Sequence, residues 1–176
     1  MKKKIKTAIF FISVGFVIAS IGALVSAEMV GATSDEKFCG SCHSMKPMIE
    51  AYKKSVHGGA NDKGLVVRCT DCHLPHTNVV EYLFQKAKSG SHDMYVETLG
   101  NPGKIDWEAK RSHRERFVYD SACLFCHKGL RTATMSNAKA FIAHKNYFSV
   151  NSSSKCVTCH EHVGHKNLGL YLKKPN

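Results

Sequence analysis

Hydrophobic residues are concentrated at the N-terminal end of this chain and scattered elsewhere. Residues 7–27 carry no charge, and Lys2, Lys3, Lys4 and Lys6 crowd one flank only. As a helix rising ~1.5 Å per residue this stretch covers ~30 Å, one hydrocarbon thickness. Basic residues on one side keep the N-terminus cytoplasmic and put everything past residue 28 beyond the membrane. A cleaved leader is the alternative, since Val25-Ser26-Ala27 resembles a small-residue cleavage site. Leader cores run ~7–15 residues, however, so a retained single-pass anchor over residues 1–28 is expected.

One further stretch has a clear helical period. Within residues 78–99, Val79, Val80, Leu83, Phe84 and Ala87 recur at helical spacing and form a stripe able to face lipid or a flat apolar group. Lys86 and Lys88 at its far end suit a membrane interface, where long stems lie along apolar surface and heads meet phosphates. Ser89-Gly90-Ser91 predicts a weakening of the helix just before His92 and Asp93. A carboxylate and an ammonium beside an apolar site are what proton removal from a quinol requires; an ordinary surface Lys and Asp is the plainer reading. Gly100-Asn-Pro-Gly103 breaks the chain, and the basic run 110–116 reads as a solvated linker. The fold class expected is mainly α with long loops and almost no sheet.

The chemistry lies in four copies of one motif. Cys39-Gly-Ser-Cys42-His43, Cys69-Thr-Asp-Cys72-His73, Cys123-Leu-Phe-Cys126-His127 and Cys156-Val-Thr-Cys159-His160 use all eight cysteines. Zinc tetrathiolates, thioredoxin-like centres and disulfide frameworks also pair cysteines, but none requires a histidine after every second one. Covalent c-type haem does: two thioethers hold the porphyrin edge and the adjacent imidazole reaches the iron. Four covalent haems make the chain an electron-transfer protein. The export side is also where such haem is attached.

Charge changes little. The formal +11 falls to +7 beyond the anchor, with 21 basic against 14 acidic residues. Two propionates per haem bring that segment near neutrality, and no nucleic-acid-binding motif accompanies the charge. About 145 residues outside the membrane make one domain's worth of chain around four large apolar macrocycles. The haems are therefore expected to supply much of the core.

The motifs form two matching pairs. Cys39 to Cys69 spans 30 residues and Cys123 to Cys156 spans 33, and a non-motif histidine, His57 or His144, lies 12 residues before the second motif of each pair. The organisation expected is an anchor (1–28), a first two-haem module (29–100) and a second (101–176). Low-spin haem needs a second axial ligand. His57 and His144 are the first candidates by the repeat, and His165 is the third. His162 is its close rival but sits two residues after a tethered ligand, His76 is crowded by His73, and His113 is expected to be exposed. Met45 lies two residues past His43, too near to bind the opposite face of one haem. It either replaces His43 at the iron or simply packs.

The anchor, the paired motifs and the Cys39-x-x-Cys42-His43-x-Met45 variant together resemble the NapC/NirT family of membrane-anchored quinol dehydrogenases. The short length is most similar to the branch made by the small subunits of cytochrome c nitrite reductase. That resemblance implies a menaquinol oxidase at the outer face of the cytoplasmic membrane, with its haem domain periplasmic. Met45 would be the first iron's ligand, Asp93 the carboxylate on its distal side and Lys86 the quinol-site lysine. His73, His127 and His160 would be proximal ligands, and His57, His144 and His165 match the remaining family histidines, although in such small subunits a partner's lysine sometimes completes one haem. The implied partners are the lipid bilayer, menaquinol and a multihaem periplasmic reductase, the nitrite reductase catalytic subunit, within a hetero-oligomer. Donation to another periplasmic reductase, a periplasmic carrier without quinol chemistry, and a first haem that itself reduces substrate are the rival readings.

Overall fold

The computed structural model describes residues 2–149 and 152–172. Its first element, α1 (Lys2–Ala32), holds no buried residue and is long and apolar enough to cross a bilayer. The hydroxyls of Thr7, Ser20 and Ser26 each donate to the carbonyl four residues back, which satisfies these three polar groups within the helix. Two short helices follow, α2 (Glu36–Cys39) and α3 (Lys46–Lys53), joined through a 3-10 turn, His43–Met45. Then come α4 (Thr70–His73) and α5 (Val79–Thr98). The remaining helices are α6 (Trp107–Arg111), α7 (Asp120–Cys126), α8 (Leu130–Ala133), α9 (Ala138–Tyr147) and α10 (Cys156–Cys159). Among the described residues there is no strand, only one isolated antiparallel bridge between Gly58 and Val66. The fold is mainly α with long connections, as the sequence pattern predicts.

α5 differs from expectation in one respect. Asn78 caps it by accepting the Glu81 N–H at 2.9 Å, and the helix then runs unbroken through Ser89-Gly90-Ser91. Ser89 donates to the Gln85 carbonyl at 2.7 Å and accepts from the Gln85 amide at 3.0 Å, so the serine supports the turn it was expected to loosen. No α5 residue is buried, and polar contacts at two of its turns fasten it to the rest of the chain. Lys86 donates to the Thr33 carbonyl and the Ser34 hydroxyl at the end of α1, and Glu97 binds the His43–Met45 turn.

The basic run 110–116 is also more than a linker. Arg114 donates to the Val157 carbonyl at 2.9 Å and pairs with Glu161 at 3.1 Å, while Lys155 reaches the Glu115 carbonyl at 2.8 Å. His113 is exposed, as expected.

The buried hydrophobic side chains among the described residues are few: Met48, Ile49, Ala51, Tyr52, Leu74, Ala122 and Val157. All of them lie in or beside cysteine-motif segments, α3 included. Tyr52 donates to the Val67 carbonyl at 2.6 Å, and burial pushes its phenol up to about 12. Tyr52→Phe leaves that carbonyl unpaired and is expected to cost about 1–2 kcal/mol. A lower denaturation midpoint with unchanged haem content is the expected result.

Candidate functional site

Three of the four motifs close in the same way. The backbone N–H of the motif histidine bonds back to the carbonyl of the first cysteine: His73 to Cys69 at 3.1 Å, His127 to Cys123 at 2.9 Å and His160 to Cys156 at 3.0 Å. One helical turn thus carries both thiols and sends the imidazole off its end. All eight cysteines are free thiols.

Each of those three imidazoles faces a second histidine. The ring centres of His73 and His165 are 6.1 Å apart, those of His127 and His57 6.1 Å, and those of His160 and His144 6.0 Å. An imidazole nitrogen binds a transition metal at about 2 Å and lies roughly 1 Å from its ring centre, so two rings on opposite sides of one metal stand about 6 Å apart. The separations therefore fit one six-coordinate iron per pair. Four of the six rings are also oriented from behind. Nδ1 is bonded to the Phe117 carbonyl in His73 (2.7 Å), Met48 in His165 (3.0 Å), Val163 in His57 (3.1 Å) and Ala140 in His144 (2.9 Å). That contact leaves Nε2 with its lone pair aimed at the partner ring, the usual support for a metal-bound imidazole.

The surroundings keep one pair neutral. Burial pushes His165 down to about 4, helped by His73 and opposed by the Met48 carbonyl. His73, part of its surface open to solvent but closely surrounded by chain, is likewise lowered, first by burial and against the Phe117 carbonyl. Beside His144 lies a cavity of about 220 Å³ walled by Phe141 and Phe148, with the Arg131 guanidinium 4.4 Å from the Phe148 ring centre. Flat apolar walls, an imidazole and a guanidinium for a propionate suit a haem edge.

The pairing crosses the two halves of the chain. His57, in the first half, faces His127 in the second, and His165 reaches back to His73. The return is secured by Lys166, whose N–H donates to the Ala51 carbonyl at 3.2 Å. Of the two histidines that lie 12 residues before a motif, only His144 faces the motif that follows it. The other non-motif histidines are engaged elsewhere. His76 bonds the Leu74 carbonyl and packs on Tyr82 and Phe125, His92 pairs with Asp93, and His162 pairs with Glu161.

The motifs also lie in series. The Cys39 and Cys69 thiols lie close enough to perturb one another's titration, as do those of Cys123 and Cys156. Between these pairs, Tyr119, just ahead of α7, donates its N–H to the Cys72 carbonyl at 3.3 Å.

The first motif is different. Gly40 within it is obligatory, because a Cβ there would lie 2.7 Å from the Glu36 carbonyl and 2.9 Å from Ile49. The His43 ring faces no histidine; its Nε2 lies 3.4 Å from the Lys46 ammonium. Its backbone N–H goes to Glu97 at 2.6 Å, and the Ser44 hydroxyl donates to the other Glu97 oxygen at 2.7 Å. The Ser44 hydroxyl foremost, with the His43 N–H adding to it, holds the Glu97 carboxyl below the usual carboxylate range. Met45 ends this turn, half-buried.

α5 lies alongside this motif. Lys86, Asp93 and Glu97 share one helical face at spacings of seven and four. The Cys39 thiol is lowered first by the neighbouring Cys69 thiol and further by the Lys86 ammonium, against burial, Asp35 and Asp93. The structure thus brings both quinol-site candidates into electrostatic reach of the first motif. Asp93 is 70% exposed and bonded only to His92, while Lys86 is tied to the end of α1. Glu97 was not singled out from the sequence; its place on the Lys86–Asp93 face is the signal that points to it.

Cysteine pairs closed by histidine, with facing imidazoles, define a c-type cytochrome. A family model described as the NapC/NirT cytochrome c family, N-terminal region, matches residues 1–169, and the chain belongs to that family. The tetraheme c-type cytochrome CymA of Shewanella oneidensis is 33% identical over 165 residues, covering 86% of this chain and 87% of CymA. The cytochrome c nitrite reductase subunit NrfH of Nitratidesulfovibrio vulgaris is 31% identical over 136 residues, covering 77% of this chain and 70% of NrfH. The cytochrome c-type protein TorY of Escherichia coli O157:H7 is 33% identical across 94% of this chain, which spans only 46% of TorY. Among solved structures, a chain of a cytochrome c nitrite reductase NrfHA complex bound to the HQNO inhibitor superposes with a TM-score of 0.55. It is 30% identical, covering 86% of this chain and 88% of that one.

Proposed function

We propose that this chain is a membrane-anchored tetrahaem cytochrome that oxidises menaquinol and passes the electrons to a periplasmic reductase, the catalytic subunit of cytochrome c nitrite reductase. The observation that carries this reading is the asymmetry of the motifs: three present facing imidazoles, while the first lacks one and lies beside Lys86 and Asp93. The cysteine pairs would hold the haems through thioethers, with His73 and His165, His127 and His57, and His160 and His144 as the residues that would bind three of the irons, and Met45 would serve the first. Bound haem supplies one-electron carriage along the series. The arrangement favours an anchor (1–28) and two haem modules (29–100 and 101–176) that exchange His57 and His165; residues 150, 151 and 173–176 of the second lie outside the described residues.

The membrane sets where the quinol docks. Lys86 meets the chain at Thr33 and Ser34, six to seven residues past the apolar stretch, or about 10 Å beyond the hydrocarbon edge if the helix stands upright. That is headgroup depth. Val79, Val80 and Phe84 are exposed within the two turns before Lys86 and offer an apolar wall to a lipid-soluble substrate. Menaquinol entering there gives up two protons and two electrons. Asp93 accepts the two protons in turn and, being exposed, passes each to the periplasm, while the electrons would leave one at a time to the group held by the first motif; Lys86 orients a quinol oxygen by donating to it. The single-pass orientation follows from Lys2, Lys3, Lys4 and Lys6.

Menaquinol added to the detergent-solubilised protein is expected to reduce its haems, as read from their absorbance spectrum, and mild purification to bring down a multihaem reductase. Absence of quinol-driven reduction would refute the quinol reading. Nitrite reduction by the chain alone, from an artificial donor, would make it a reductase instead. The likeness to CymA and TorY, each 33% identical and named as c-type cytochromes without mention of nitrite reductase, favours a second reading in which the same quinol chemistry serves a different reductase.

A further inference from the structure

We propose that Glu97 is the positioning residue that sets the first motif apart, by taking the His43 backbone N–H that would otherwise close the helical turn. This rests on the reading of Met45 as the first iron's ligand. In the other three motifs that N–H is spent on the first cysteine's carbonyl, and the turn so formed delivers the histidine ring to its facing partner. In the first motif Glu97 receives it, from a helix 54 residues further along the chain. With the Ser44 hydroxyl on its second oxygen, the carboxylate grips two successive residues, and few side chains but a carboxylate offer two such acceptors.

The consequence is geometric. α2 ends at the first cysteine, Cys39, whereas the helices of the other motifs run at least to the second, and residues 43–45 form a separate 3-10 turn whose Met45 N–H bonds the Cys42 carbonyl at 3.2 Å. The turn carries the His43 ring out beside Lys46 and draws Met45 in, half-buried. Pro47, in the first turn of α3, has no N–H to give and suits the abrupt restart of helix there. Because Glu97 shares its helix face with Lys86 and Asp93, one contact both selects the thioether and registers the proposed quinol groups against it.

The test is spectroscopic and is run on the full membrane-bound chain. Wild type is expected to show one high-spin haem beside low-spin ones by electron paramagnetic resonance. In Glu97→Ala the His43 N–H is released to the Cys39 carbonyl, the motif closes like the other three, and the imidazole replaces the thioether. The first haem, with no facing histidine, stays high-spin, but an iron–imidazole stretch absent from wild type appears in the resonance Raman spectrum of the reduced protein; four haems remain, and quinol oxidation falls roughly ten- to a hundredfold, the range a displaced reacting group costs. Glu97→Gln, whose amide oxygen still accepts from His43, shows no such stretch. Glu97→Asp, one methylene short, gains it in part and supplies the readout should the alanine variant fail to hold haem. Absence of the stretch from the alanine and aspartate variants overturns the proposal. A wild type without any high-spin haem overturns instead the Met45 reading beneath it.

Discussion

Replacing Cys69 and Cys72 with serine is expected to remove one haem and, with it, most of the folded protein. The second motif is where the parts of the chain meet. Thr70 donates its N–H and hydroxyl to the Ser34 carbonyl at the end of α1, the Cys72 carbonyl receives the Tyr119 N–H, and His73 is held by Phe117. Thr70, Leu74 and Pro75 are buried there, in a chain with few other buried side chains. Ordering a residue costs about 1–2 kcal/mol of backbone entropy, so a thin protein core has to be completed by the apolar faces of the haems. The matched control is Cys156→Ser with Cys159→Ser, at the far end of the series. It also loses one haem, yet menaquinol should still reduce the three that remain. Intact mass and haem content per chain, read with quinol-driven reduction, check both variants. Equal accumulation and equal reduction in the two would overturn the placing of the second motif at the centre.

Much of this was legible in the sequence because it is local. A Cys-x-x-Cys-His motif needs one helical turn, and the uncharged run 7–27 needs only length. His57, His144 and His165 could be named because repeat spacing and haem ligation limit the choice. Their partners could not be read the same way. The repeat places His57 before the second motif, whereas the structure sets it against His127, because residues 163–166 fold back along α3 and bring His165 to His73. Such long-range returns leave no periodic trace. The Ser89-Gly90-Ser91 weakening failed for a related reason: propensity describes an isolated helix, whereas α5 is held by Lys86 at one turn and Glu97 at another.

The second large effect is expected at Lys86 and Asp93. Asp93→Asn keeps the shape of the side chain and removes its ability to take a proton, so quinol oxidation should fall by about a hundredfold or more with haem content unchanged. Lys86 needs a more careful comparison, because its ammonium has a structural use: it donates to the Thr33 carbonyl and Ser34 hydroxyl and so fastens α5 to the end of α1. Lys86→Met retains the apolar stem and loses every donor. Ser34→Ala loses one acceptor and leaves the ammonium and its Thr33 contact in place. If Lys86 acts on the quinol, the methionine variant should lose roughly a hundredfold in quinol oxidation while Ser34→Ala loses little, because the charge and most of the docking survive. If Lys86 only fastens the helix, the two variants should differ modestly, and a dithionite-reduced spectrum should register the disturbed first haem in both. Stopped-flow reduction by a soluble menaquinol analogue separates these outcomes, since the haem absorbance reports arrival of the electron and the analogue concentration separates binding from transfer. Near-equal, small losses in Lys86→Met and Asp93→Asn would move the quinol site away from this face of α5 altogether.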